Sequence, residues 1–248
     1  MNPTKNNSVR AFLLVRSALA VGLVAAVQCA HALTPAEVFA KVSPSVWRIR
    51  TFDKEGVALA TGSAVVVGAE RLVTNCHVLR AAERFEVARD KVSLPGTLEL
   101  WDTARDLCRV KAAIGNVPAV GLADSAQLLV GQDVYALGNP HGLELTLSAG
   151  LVAGLRRDTA ERLTMIQTSA PISPGSSGGG LFDTQGRLVG VTTMISTARD
   201  AQNLNFAVPA EWVRELPQRH LELRKAAAAS STLVTTEQAS MAVPAATP

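Results

Sequence analysis

The sequence predicts an all-β fold of short strands, arranged as a barrel or as a pair of packed sheets. Three observations carry this reading. About a dozen short runs rich in Val, Leu, Ile and Thr recur through some 165 residues. Clusters of Gly, Pro, Asp and Asn separate them. No long amphipathic helix stands between them, as the crossovers of a doubly wound α/β sheet would require.

The elements follow in order. Residues 1–32 read as a leader: Lys5, Arg10 and Arg16 precede an apolar run from Ala18 to Val27, and Ala30-His31-Ala32 has the small-x-small form of a signal-peptidase site. Cleavage is expected after Ala32, with export to the periplasm or the cell exterior. The run is shorter than the roughly 20 apolar residues of a membrane helix. No other stretch approaches that length, so no stable membrane insertion is expected. Thr34-Pro-Ala-Glu37 then offers a cap residue, a first-turn proline and a carboxylate at the third helical position, which predicts a short helix to about Lys41.

Strands are expected at 46–52, 59–67, 71–75, 84–88, 97–101, 107–112, 134–137, 145–155, 163–168, 180–182, 187–195 and 205–208. Asp183-Thr-Gln-Gly186 reads as a hairpin turn between two of them. A proline start at Pro209, with Trp212, Val213 and Leu216 on one face, predicts a terminal helix over 209–216 packed on the sheet. The Ala/Ser/Thr-rich stretch 221–248 is expected to be disordered, with a frayed helix over 221–229 as the alternative. The folded part, expected over 33–220, is long enough for one large domain or two small ones.

Charge narrows the partners. The leader holds three of the 24 basic residues and none of the 21 acidic ones, so the mature chain carries 21 of each sign. Its formal net charge is zero, which gives no electrostatic case for nucleic-acid or membrane-surface binding. Neither Cys/His clustering nor an aspartate-rich loop appears, so no metal or other cofactor is expected.

The stretch Ser173-Pro-Gly-Ser-Ser-Gly-Gly-Gly180 resembles a flexible linker by composition, but β-prone runs flank it on both sides. A strained turn inside a folded region is the better reading. The mature chain has three histidines. His220 lies at the edge of the polar tail and is expected to be solvated, and His141, in Gly138-Asn-Pro-His-Gly142, is read as a bystander. His77 follows Leu72-Val-Thr-Asn-Cys76, where a β-prone run stops, a position that suits a proton-transfer group. A serine hydroxyl needs such an imidazole to take its proton, and the imidazole needs a carboxylate to hold its tautomer. Asp90, Asp102, Asp106 and Asp124 are the candidates, and Asp106 is chosen because it stands directly before the strand Leu107–Lys111, beside the sheet as His77 is.

Six segments in order then resemble the trypsin-like serine peptidases of the HtrA/Deg branch. They are Thr74-Asn-Cys-His-Val-Leu79, Asp106-Leu107, Gly138-Asn-Pro-His-Gly-Leu143, Ile166-Gln-Thr168, Ser173-Pro-Gly-Ser-Ser-Gly-Gly-Gly-Leu181 and Asn205-Phe-Ala-Val-Pro209. The resemblance covers about residues 35–216. It implies two six-stranded antiparallel β-barrels, over about 44–120 and 121–208, with the active site between them. His77 and Asp106 would come from the first and the nucleophile Ser177 from the second. The amides of Gly175 and Ser177 would form the oxyanion hole, and polypeptide would be the substrate.

The chain also departs from that branch. Ser173 and Ser176 stand where HtrA enzymes carry asparagine, Gly180 stands where they carry proline, and a short tail follows where most carry a PDZ domain. Ser176, being neutral, cannot make the ion pair by which trypsin is activated through a new N-terminus. By the same resemblance, Ile172, Val191, Thr192, Thr193 and Met194 would wall the pocket for the residue before the scissile bond. Pro171 lies where trypsin keeps its acidic residue, so small or medium aliphatic side chains are expected there. Contact between His77 and Asp106 would also bring Cys76 and Cys108 together, and in an oxidising compartment a disulfide is expected. An oligomer is compatible with the resemblance but not derivable from it. The alternative function is a catalytically idle fold of the same kind that binds unfolded chains or a protein partner.

Overall fold

The computed structural model describes residues 32–193 and 204–241. The expected leader, apart from Ala32, lies outside the described residues. The chain opens on α1 (Pro35–Val42), whose start is a reciprocal cap: the Thr34 hydroxyl accepts the Glu37 N–H, and the Glu37 carboxylate accepts the Thr34 N–H at 2.8 Å. Val38 and Val42 on its inner face are buried.

Seven strands follow: β1 (Val46–Phe52), β2 (Ala58–Gly68), β3 (Arg71–Thr74), β4 (Arg84–Arg89), β5 (Val92–Pro95), β6 (Thr97–Asp102) and β7 (Leu107–Lys111). The one-turn helix α2 (Cys76–Leu79) follows β3. These strands form a sheet in the order β5-β4-β1-β2-β3-β7-β6. Six more strands, β8 (Asp133–Gly138), β9 (Thr146–Arg157), β10 (Leu163–Thr168), β11 (Gly180–Asp183), β12 (Leu188–Thr193) and β13 (Asn205–Pro209), close into an antiparallel barrel in the order β10-β13-β12-β11-β8-β9. The fold is all-β with a helix at each end.

The first sheet differs from the six-stranded barrel implied by the resemblance, because β5 is an additional element and the sheet is open. Its two edge strands, β5 and β6, are nevertheless separated by Gly96 alone. Pro95 removes a ladder donor, and a Cβ at Gly96 would lie 2.1 Å from the Phe85 ring, so the chain turns a corner over that ring. One long strand bent at Gly96 thus serves both edges.

Strand alternation sorts the core into three clusters. Ala64 and Val66 of β2 face the interior of the first sheet with Trp47, Ile49 and Leu72. Val134 and Ala136 of β8 face the interior of the barrel with Ile166, Leu181 and Val189. Val65, Tyr135 and Leu137, on the opposite faces of β2 and β8, join Val38, Val42 and Phe182 in a third cluster between the two sheets. That shared core holds the two sheets together.

The C-terminal helix corrects two expectations. It runs as α3 (Glu211–Met241), past Pro217 and over residues 221–241 of the tail, so that the helical alternative over 221–229 holds and is exceeded; residues 242–248 lie outside the described residues. Most residues of 218–229 are good helix formers, and just beyond the proline the helix is held by buried His220 and by Arg219 on Asp102. His220 is 7% exposed rather than solvated. Its Nδ1 accepts the Trp101 N–H at 3.3 Å and its ring meets the Trp101 ring edge-on, with centroids 4.2 Å apart. No helix among the described residues is long and apolar enough to cross a membrane.

Candidate active site

β3 delivers His77 on α2, and the β6–β7 turn delivers Asp106, a non-glycine residue with φ of 51°. The Asp106 carboxylate grips His77 twice. Oδ1 accepts the His77 backbone N–H at 2.8 Å, and Oδ2 lies 2.7 Å from Nδ1. Its backbone carbonyl in turn accepts the Asn75 side-chain amide at 3.0 Å and the Cys76 N–H at 3.3 Å. A carboxylate at Nδ1 places the imidazole proton there, so Nε2 is the nitrogen able to take one. The Thr193 hydroxyl donates to the same Oδ2 at 3.2 Å, from β12 of the barrel.

Ser177 lies in the connection from β10 to β11 and is 4% exposed. Its loop is stitched to both sheets: the Ser177 carbonyl accepts the Ser63 N–H of β2 at 2.8 Å, and the Gly178 N–H donates to Thr192 O of β12 at 2.8 Å. Gly178 has φ of +88°, and a Cβ there would lie 2.1 Å from Ser63 O and 2.3 Å from Thr74 Oγ1. The serine loop therefore packs on the end of the strand that leads to His77. Cys76 and Cys108 form a disulfide, with Cα atoms 5.0 Å apart, behind the His77–Asp106 pair.

The candidate oxyanion turn begins at Gly175, whose φ is +93°. The Pro174 carbonyl accepts the His141 N–H at 2.6 Å. Since that peptide is trans, the Gly175 N–H faces away from the 139–142 turn. His141, read from sequence as a bystander, thus fixes this plane through its backbone. A groove of about 320 Å³ runs beside the turn along Ala58, Leu59, Ala60 and Thr61, with His141 at its rim. Gly180 sits within β11, where a Cβ would lie 2.3 Å from the Phe182 ring.

Of the described residues expected to wall the pocket, Thr192 borders the hollow behind Ser176, and the others are placed as follows. Val191 is fully buried in the core between the sheets, and the Thr193 hydroxyl is committed to Asp106. Thr192 donates to Ser176 O at 2.7 Å. Ile172 packs against the barrel core, with its N–H on the Asn205 side chain at 3.1 Å. Met194 lies outside the described residues. A hollow of about 70 Å³ behind Ser176, lined by Pro171, Ser173, Thr192 and Leu137 among others, has no charged side chain among the described residues that line it. Among the described residues no group of three or more His, Cys, Asp or Glu could hold a metal ion.

Comparison with known proteins follows the same lines. The family model described as "Trypsin-like peptidase domain" matches residues 62–191. Protease Do-like 1, chloroplastic, of Arabidopsis thaliana is 36% identical over 174 residues, which is 66% of this chain and 40% of that protein. Serine protease HTRA1 of Xenopus laevis is 32% identical over 194 residues, 73% of this chain and 41% of that protein. The chain thus spans about two fifths of the length of these relatives. Among solved structures, the HtrA-type protease AlgW with tripeptide superposes with a TM-score of 0.67 at 33% identity, covering 75% of this chain and 62% of that one. With the family model matching more than half of its length, the chain belongs to the trypsin-like peptidase domain family, and its relatives are serine proteases of the HtrA/Deg type.

Proposed function

We propose that the chain is an exported serine endopeptidase that cleaves extended or unfolded polypeptides through an acyl-enzyme at Ser177. His77 acts as general base and then as general acid, Asp106 holds its tautomer, and the amides of Gly175 and Ser177 receive the developing oxyanion. The observation that carries the reading is the double grip of Asp106 on His77, on a sheet to which the Ser177 loop is itself hydrogen-bonded.

Substrate in extended form is supported by β2. Residues 58–61 of that strand pair with β1 alone among the described strands, because β3 pairs with β2 from Val65 onward and the Ser177 loop takes the edge at Ser63. Their other edge faces the groove beside Gly175 and can add a substrate strand without regard to its sequence. A preference for small or medium aliphatic residues before the scissile bond is supported by Pro171, which puts no carboxylate there to pair with a basic side chain. Export is supported by the leader pattern and by the disulfide.

A fluorophosphonate probe tests the reading. The folded wild type is expected to take up one probe, located at Ser177 by peptide mass, and Ser177→Ala none. Well-folded wild type that stays unlabelled overturns the proposal.

A further inference from the structure

We infer that Ser63, on β2 of the first sheet, is a positioning residue for the oxyanion turn carried by the barrel; the inference rests on the peptidase reading above. Ser63 is fully buried and uses each of its polar groups on the machinery around Ser177. Its N–H donates to Ser177 O at 2.8 Å. Its hydroxyl donates to Gly175 O at 2.9 Å and accepts the Asn139 N–H at 2.8 Å. Its carbonyl accepts the Thr74 hydroxyl at 2.7 Å, three residues before His77.

Taken peptide by peptide, the turn shows what these bonds accomplish. The two planes whose amides are the candidate oxyanion donors are held by their carbonyls: Pro174 O by the His141 N–H, and Ser176 O by the Thr192 hydroxyl and the Gly179 N–H. The two planes that alternate with them are held by Ser63. Its hydroxyl fixes the Gly175–Ser176 plane, whose N–H is bound in turn to Ser173 O at 2.9 Å, and its N–H fixes the Ser177–Gly178 plane. Rotation of either plane would swing a donor amide away from the oxyanion. The Asn139 bond matters for the same reason, since it ties the turn that carries the His141 N–H to the same hydroxyl.

A donor aimed at developing charge contributes to the rate and not to ground-state binding. Loss of the Ser63 hydroxyl should therefore appear in kcat while KM stays put. A polar atom on a β-strand, 114 residues before the nucleophile, would otherwise read as an ordinary buried serine.

The test compares Ser63→Ala with Ser45→Ala in the full chain. Ser45 is also a buried serine whose hydroxyl donates to a backbone carbonyl, that of Pro118 at 2.6 Å, but it touches nothing in the turn. On an unstructured peptide substrate, Ser63→Ala is expected to lower kcat about 10- to 100-fold with KM within about twofold. Its inhibition constant for a peptide boronate, whose tetrahedral adduct needs the oxyanion site, should rise by a similar factor. Ser45→Ala should change neither, with a thermal midpoint as low as or lower than that of Ser63→Ala. If Ser63→Ala folds poorly, Ser63→Thr, which keeps the hydroxyl, should restore both folding and kcat. Unchanged kcat in folded Ser63→Ala, or a loss matched by Ser45→Ala, overturns the inference. Crystal structures of the wild type and Ser63→Ala supply a readout that needs no activity: Pro174 O should leave the His141 N–H in the variant, and an unmoved turn counts against the inference. An inactive wild type whose turn still rearranges in Ser63→Ala sinks the peptidase reading alone.

Discussion

At the scale of residues, the site depends on contacts of two origins. The contact of His77 with Asp106 was legible because the chemistry demands particular side chains in particular local settings, a histidine at a strand end and an aspartate before a strand; the same chemistry is what proposes Ser177, a serine among glycines, as their partner. Those of Thr193 and Ser63 were not, because their partners lie far along the chain. Thr193 reaches Asp106 across 87 positions and only after β12 docks against the β6–β7 turn. No local pattern marks such a hydroxyl, and Thr193 was read as a pocket wall. Asp106→Asn separates charge and tautomer from shape, since the amide keeps the volume but offers its NH₂ where Nδ1–H should donate. The variant is expected to fold as the wild type does and to lose on the order of 10⁴ in kcat, measured on a peptide substrate alongside the circular dichroism spectrum.

At the scale of elements, β-propensity and turn residues located the strands well because most are bounded by Gly, Asp or Pro and are long enough to alternate. β5 escaped notice because only four residues separate the turn at Asp90-Lys91 from the corner at Gly96. α2 escaped for a similar reason, as a single turn has no periodicity to read. Cross-strand charge pairs help hold the edge that β6 forms. Glu99 on β6 binds Arg71 of β3 at 3.1 Å and Arg109 of β7 at 2.7 Å. Burial alone would raise the Glu99 carboxyl, but these guanidinium hydrogen bonds outweigh it and hold the group below its ordinary 4.5. A carboxyl lowered in the folded state adds stability above its unfolded value, and that increment is lost as pH falls through the folded value. Glu99→Gln should therefore cost up to about 1 kcal/mol near neutral pH. The gap between the two urea unfolding curves should close in acid; a gap that persists below the folded value of Glu99 would contradict this assignment.

At the scale of the whole molecule, the C-terminal helix ties the Asp106 turn to the body of the protein. Asp102 is fully buried and faces Arg105 at 3.8 Å and Arg219 of α3 at 3.3 Å. Arg105 lies over the Trp212 ring and pairs with Glu215. Asp102 and Arg105 belong to the turn that carries Asp106, so α3 braces that turn through Trp212, Glu215 and Arg219. The sequence placed the start of this helix but ended it at the proline, since propensity near Pro217 says nothing of the buried contacts His220 and Arg219 make with β6. Removing residues 217–248, which keeps the core residue Leu216, takes away Arg219 and the ring of His220, and the loss of one partner of a buried charge is expected to cost up to about 3–5 kcal/mol, read as a lower midpoint in urea. The central claim is that side chains from two separate sheets act as one proton-transfer unit. It is tested most directly by comparing the hydrolysis rate of an unfolded protein by the wild type, by Ser177→Ala and His77→Ala singly, and by the variant that combines both. The account predicts that each single change costs about as much as the pair. Losses that multiply, each change acting independently of the other, would contradict it.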